Sequence, residues 1–197
     1  KGLDILIAAF DLVRQYNDNA RLMLKDAPDL YGMSLLDFFQ RFEGLNGTLS
    51  EKTRNSIYMM PSKLEFSDMR LLYGAADCYA SPYRAEGFNL PVMEAIACGL
   101  PVIVTEGGAT DDFCQAGVAR KVAAKRVMNS ERPELFRGKI LPGHHLEPSV
   151  ESLAEQMQIA IDANLSSTAE FRKERHLLLE EFSWREVSRK LHDAFFS

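Results

Sequence analysis

The stretch Asp77-Cys-Tyr-Ala80-Ser-Pro-Tyr-Arg84-Ala-Glu86-Gly-Phe-Asn89-Leu-Pro-Val-Met-Glu94-Ala-Ile-Ala-Cys-Gly-Leu-Pro101-Val-Ile-Val-Thr105-Glu-Gly-Gly108 decides the fold. Pro101–Thr105 reads as its clearest strand, because β-branched residues lie together between Gly99-Leu100 and Gly107-Gly108. Asp77–Ala80 reads as a short strand before it, and Leu90–Cys98 as the helix between them. Two apolar strands joined through a helix form a βαβ unit, whose strands run parallel.

The same alternation extends outward. Leu3, Leu6, Ile7, Phe10 and Val13 draw an apolar stripe along a helix reaching about Tyr16. Arg21–Lys25 and Ser56–Met60 read as strands, with helices over about 32–42 and 67–76. Downstream, 110–115 reads as a short helix and 118–123 as a strand, followed by a long irregular loop over about 125–148. Helices over 150–163, 168–181 and 184–196 close the chain, with capping boxes expected at Ser167/Glu170 and Ser183/Glu186. The expected architecture is α/β, a Rossmann-like parallel sheet with helices on both faces, in a single domain over 1–197.

Bulk composition narrows the function. The 197 residues carry a formal net charge of −5, which gives no basic footprint for nucleic acid. Apolar runs are too short to cross a bilayer. Cys78, Cys98 and Cys114 show neither CxxC nor Cys/His ligand spacing and read as buried thiols of a reducing cytosol, so a cytoplasmic protein is expected. The opening Lys1-Gly2-Leu3-Asp4 is no signal peptide, and the absence of an initiator Met beside an immediate helix suggests a fragment.

The chemistry gathers where the first strand of the βαβ unit opens into its helix, at the carboxyl-end crevice where open parallel sheets bind ligands. Pro91 suits a first helical turn and Asn89 an N-cap. The amides of Phe88, Asn89 and Leu90 would then face outward at the positive end of the helix dipole, a ready site for a diphosphate. Gly87 permits close approach to the backbone. Glu86 and Glu94 flank that point. A carboxylate accepts from two vicinal hydroxyls, so Glu94 suits a ribose diol and Glu86 the hydroxyls of a sugar. Gly107-Gly108 offers further backbone donors on the same edge.

Glutamates eight positions apart are ordinarily unrelated surface charges, and the intervening Gly-Phe-Asn-Leu-Pro reverses that reading. Arg84 reads as a solvated loop residue and His144-His145 as an exposed turn without ligand spacing. Asp111-Asp112 complements a helix dipole. No protein-held metal and no cofactor are expected. Phe10, Phe38, Phe39 and Met59 read as core, and Trp184 as a packing anchor.

The run from Glu86 to Gly108 resembles the E-x7-E region of retaining GT-B glycosyltransferases, particularly glycosyltransferase family four. Lys1-Gly2-Leu3-Asp4 resembles that family's "KG-x-D" opening of the first helix in its C-terminal domain. Leu72-Tyr-Gly-Ala-Ala-Asp77 resembles the "LY-x-x-AD" before the E-x7-E strand, and Phe182-Ser-Trp184 the start of the closing helix. The resemblance implies one half of a GT-B fold that binds a UDP- or GDP-sugar donor. It places Glu94 on the ribose, Glu86 near the transferred sugar and Lys1 on the diphosphate. It also implies that a first strand and an acceptor-binding N-terminal domain precede Lys1, so that this chain alone would not turn over. Leu24-Lys25-Asp26-Ala27-Pro28 departs from the family's glycine-rich strand end, and Asn89 from its commoner glycine or alanine. Polysaccharide assembly, with at most peripheral membrane contact, follows from family association. A non-catalytic nucleotide or nucleotide-sugar binding module is the alternative. A phosphorylase is disfavoured because no lysine motif for a pyridoxal cofactor is found.

Overall fold

The computed structural model describes residues 2–60, 64–136, 138–163 and 165–196. Helix α1 (Leu3–Tyr16) leads into β1 (Leu22–Lys25), the short α2 (Pro28–Tyr31), α3 (Leu35–Asn46), the short α4 (Glu51–Arg54) and β2 (Ile57–Met60). Then follow α5 (Phe66–Gly74), β3 (Tyr79–Ser81), α6 (Leu90–Ala97), β4 (Val102–Thr105), a 3-10 turn (Ala109–Asp112) and β5 (Ala119–Val122). Strands β6 (Ala124–Met128) and β7 (His144–Pro148) precede α7 (Val150–Ala163), α8 (Ala169–Glu181) and α9 (Trp184–Phe196).

The architecture is α/β with parallel sheets and helices on both sides. β1 pairs in parallel with β2, and β4 lies between β3 and β5, parallel to both. Strand β4 is buried along its whole length and its alternation sorts two cores. Ile103 joins Ile5, Leu6 and Phe10 of α1 and Leu153 and Met157 of α7. Val102 and Val104 join Val92 and Ile96 of α6 and Phe171 and Leu178 of α8. Leu22 and Leu24 of β1 share the first core, so both parallel sheets rest on the same helices.

Several expectations are corrected. The stretch 125–148 contains an antiparallel pair in the register Ala124↔Pro148 to Met128↔His144. Polar residues in both short strands, with Lys125 beside Arg126, and the separation of the strands in sequence hide the pairing from a local reading. The 110–115 helix is only the 3-10 turn, and the second helix begins at Leu35 after the separate α2. Thr168, not Ser167, caps α8, its hydroxyl accepting from the Phe171 amide at 3.1 Å. Ser183 does accept from the Glu186 amide, at 3.2 Å. Met59 is exposed because β2 is paired only with β1 among the described residues. Trp184 is 87% exposed, and Phe182 fills the anchoring role through ring contacts with Phe88 and Phe113 at 6.1 Å.

Arg84 is buried, not solvated. Its Nη1 and Nη2 donate to Asp4 Oδ1 and Oδ2, each at 2.7 Å, while Nε and Nη2 donate to Glu147 at 2.6 and 2.8 Å. This guanidinium joins α1, the loop after β3 and β7, and a backbone bond from Leu146 N to Arg84 O at 3.0 Å completes the junction. Burial alone would raise the Asp4 and Glu147 carboxyls, but hydrogen bonds and charge from Arg84 outweigh it and hold both below the usual range. A second lock lies at the β4 end. The buried Tyr83 hydroxyl lies 2.8 Å from Thr110 Oγ1 and accepts from the Thr110 amide at 3.1 Å. Its ring presses on Gly108, where a Cβ would come within 2.5 Å of the phenol oxygen.

Gly108→Ala is expected to lose about 1–3 kcal/mol by overpacking against Tyr83, read as a lowered thermal midpoint. Arg84→Ala is expected to lose about 2–4 kcal/mol near neutral pH, below the cost of breaking a fully buried pair because the carboxylates keep some solvent. Depressed carboxyls stabilise above their unfolded values near pH ~4 and lose that contribution as pH falls through their folded values. The gap between wild type and variant in urea denaturation therefore narrows on acidification.

Candidate functional site

Helix α6 begins at a residue in a rare conformation. Asn89 has φ 71 and ψ 59, and among the described residues it is the one non-glycine with positive φ. Asparagine is one of the few residues with a side chain that tolerate this left-handed region. It occupies the N-cap position, as expected, but its side chain caps nothing; Nδ2 donates to Ser81 Oγ at 2.9 Å, tying the turn to the end of β3. The Asn89 carbonyl accepts from Val92 N at 2.9 Å. Among the described residues, the amides of Phe88, Asn89 and Leu90 donate to no protein acceptor. Phe88 stacks on Phe113 at 4.8 Å and thereby pins the loop. A side chain at Gly87 would meet nothing within 4 Å, so the backbone there is open to approach.

Glu94 stands exposed in the second turn of α6. Its Oε2 accepts from the Tyr73 hydroxyl at 3.0 Å. Burial, with the neighbouring Tyr79 and the Glu94 carboxylate itself, pushes the Tyr73 phenol well above its ordinary value, so it remains a donor. Tyr73 comes from the Leu72-Tyr73 run, whose role no spacing argument showed: it fixes the orientation of one carboxylate oxygen.

Glu86, Gly107 and Gly108 line a shallow, open cavity of about 170 Å³, together with Arg84, Ala109 and the hairpin residues Arg126, His144, His145 and Leu146. Glu94, Phe88 and Leu90 lie outside that cavity, at the open face of α6. The Gly107 amide is already engaged, donating to Asp111 Oδ2 at 2.7 Å, so Gly107 offers a ligand no free N–H. Asp111 thus closes this turn, while its Oδ1 receives the Lys121 ammonium at 2.5 Å. Gly2 brings α1 against the same loop: a Cβ there would lie 1.7 Å from the Pro82 carbonyl oxygen. Lys1 lies outside the described residues.

The two adjacent histidines differ. His144 is exposed at the cavity, whereas His145 is buried, with Nδ1 3.0 Å from Asn129 Oδ1 and Nε2 3.4 Å from Glu147 Oε2. Among the described residues no group of His, Cys, Asp and Glu is arranged to hold a metal. None of the described helices is long and apolar enough to cross a membrane.

The chain resembles proteins of one kind. It is 30% identical over 141 residues to a D-inositol 3-phosphate glycosyltransferase of Segniliparus rotundus, covering 71% of this chain and 28% of that protein. A glycosyltransferase structure from Rickettsia africae superposes with a TM-score of 0.66 at 20% identity, over 98% of this chain and 43% of the other. The HepE protein of Anabaena, solved with UDP and glucose, superposes with a TM-score of 0.68 at 19% identity, over 98% and 44%. The chain therefore spans less than half the length of these relatives. Residues 1–141 match the family described as glycosyl transferases group 1, and the chain belongs to that family.

Proposed function

We propose that this chain is the nucleotide-sugar-binding C-terminal half of a retaining GT-B glycosyltransferase. The observation that carries the reading is the start of α6, where unengaged amides at Phe88, Asn89 and Leu90 stand beside an exposed Glu94 oriented by Tyr73. In this reading the diphosphate of a UDP- or GDP-sugar sits on those amides and the exposed Gly87 backbone. Glu94 binds the ribose diol through the oxygen Tyr73 leaves open, and Glu86 meets the transferred sugar in the adjoining cavity. The Anabaena neighbour solved with UDP and glucose supports a donor of this class.

As the glycosidic bond breaks, negative charge grows on the departing diphosphate. Donors already aimed at that position stabilise the charge without reorganising, and Lys1 adds a cation to them. Retention follows when the acceptor attacks the face from which the diphosphate leaves. The acceptor itself would enter from an N-terminal domain across a cleft. A strand preceding Lys1 is supported by the sheet: β1 and β3 do not pair with each other among the described residues, although Leu24 and Ala80 share a core. One intervening strand would join the two parallel sheets into a continuous one. Residence in the cytoplasm, a role in polysaccharide assembly and at most peripheral membrane contact complete the proposal.

Calorimetry with UDP, GDP and ADP tests the binding reading. One uridine or guanosine nucleotide is expected to bind, and Glu94→Ala to weaken it about tenfold or more through lost charge-assisted hydrogen bonds. Unchanged affinity in the variant removes the ribose assignment.

A further inference from the structure

The cavity beside Glu86 has a wall that the family match does not fully span, since the match ends at residue 141 and β7 begins at His144. The register of the β6–β7 pair sets Arg126 opposite Leu146 and Met128 opposite His144, so these four share one face. That face is turned to the Gly107 turn, because the Leu146 side chain reaches within 3.9 Å of where a Cβ on Gly107 would lie. The other face carries Glu147, held by Arg84. The hairpin is thus clamped by the Glu147 face, and Arg126, His144 and Leu146 of the other face line the cavity alongside Arg84 and the buried His145.

Arg126 stands on that other face, exposed and lining the cavity. The nearby Arg84 and Arg132 are both bound to Glu147. The Arg126 guanidinium makes no ion pair or hydrogen bond among the described residues. A guanidinium presents parallel N–H donors that match a carboxylate or phosphate, and His144 stands on the same face as a second donor. Glu86 contributes a carboxylate to this cavity and Arg126 a cation. Such a pair of linings suits a sugar whose hydroxyls meet the acid and whose anionic substituent meets the base.

We infer that the molecule held in this cavity carries a carboxylate or phosphate, and that Arg126 selects it with His144 assisting. The inference rests on the donor-site reading above. The anion belongs either to the transferred sugar, as in a uronic acid, or to the acceptor, as a sugar phosphate.

Calorimetry on this chain separates the sources. UDP-glucuronate is compared with UDP-glucose, or GDP-mannuronate with GDP-mannose if the chain prefers guanosine. Glucose 6-phosphate is then compared with glucose on the chain saturated with the preferred nucleotide. The anionic ligand is expected to bind about tenfold tighter in one of the two arms, the size of a charge-assisted contact. Arg126→Gln is expected to abolish that preference and Arg126→Lys to keep part of it, with thermal midpoints confirming that both variants fold. A nucleotide that binds with no anion preference in either arm, or a preference that survives Arg126→Gln, overturns this inference alone. Binding of neither UDP nor GDP removes the donor reading and the inference with it.

Discussion

The left-handed turn at Asn89 carries the chain from the loop after β3 into α6, and the geometry of the site follows from it. Positive φ at a residue with a side chain is strained for most amino acids, and here the Ser81 hydroxyl holds the asparagine in place. The Phe88 ring stacked on Phe113 fixes the other side of the turn. With both flanks pinned, the amides at the helix start are held without acceptors among the described residues, at the positive end of a helix whose opposite side is buried against β4.

The second carboxylate owes its position to a different set of forces. Glu86 follows Arg84 and precedes the Asn89 turn, so its loop is held between a buried charge junction and a stacked aromatic pair. Arg84 draws in Asp4 from the first helix and Glu147 from β7, partners 80 and 63 residues away. Tyr83, one residue earlier, seals the loop to Thr110 and Gly108 at the end of β4. Sheet, first helix and hairpin thereby meet at one short loop, and the cavity lies where they meet.

Much of this was legible locally and some of it was not. The β4 strand announced itself because it is buried on both faces and bracketed by glycines, so composition and structure coincide. α1 is equally plain from its apolar spacing. The β6–β7 hairpin is hidden because its short strands are polar, with Lys125 beside Arg126 and a lone Glu147, and pair across an intervening excursion, so no single window holds the evidence. Arg84 reads as solvated for the same reason: the carboxylates that accompany its burial, Asp4 and Glu147, lie far away in sequence. Trp184 and Met59 were expected inside on residue type alone, yet α9 leaves Trp184 exposed and β2 lies at a sheet edge. At the site, residue types pointed to Glu86, Glu94 and the turn between them. The Tyr73 bond to Glu94, the Asp111 bond to Gly107 and the approach of Arg126 to the cavity arise only where the folded chain brings side chains together, and no local pattern marks them.

The most direct test of the helix-start claim follows backbone amide resonances of the isotopically labelled chain as UDP or GDP is added. The account predicts that the largest shifts appear at Phe88, Asn89 and Leu90, whose N–H groups would acquire phosphate oxygens as partners. Saturable binding that leaves those three resonances unmoved, while others shift, would contradict it.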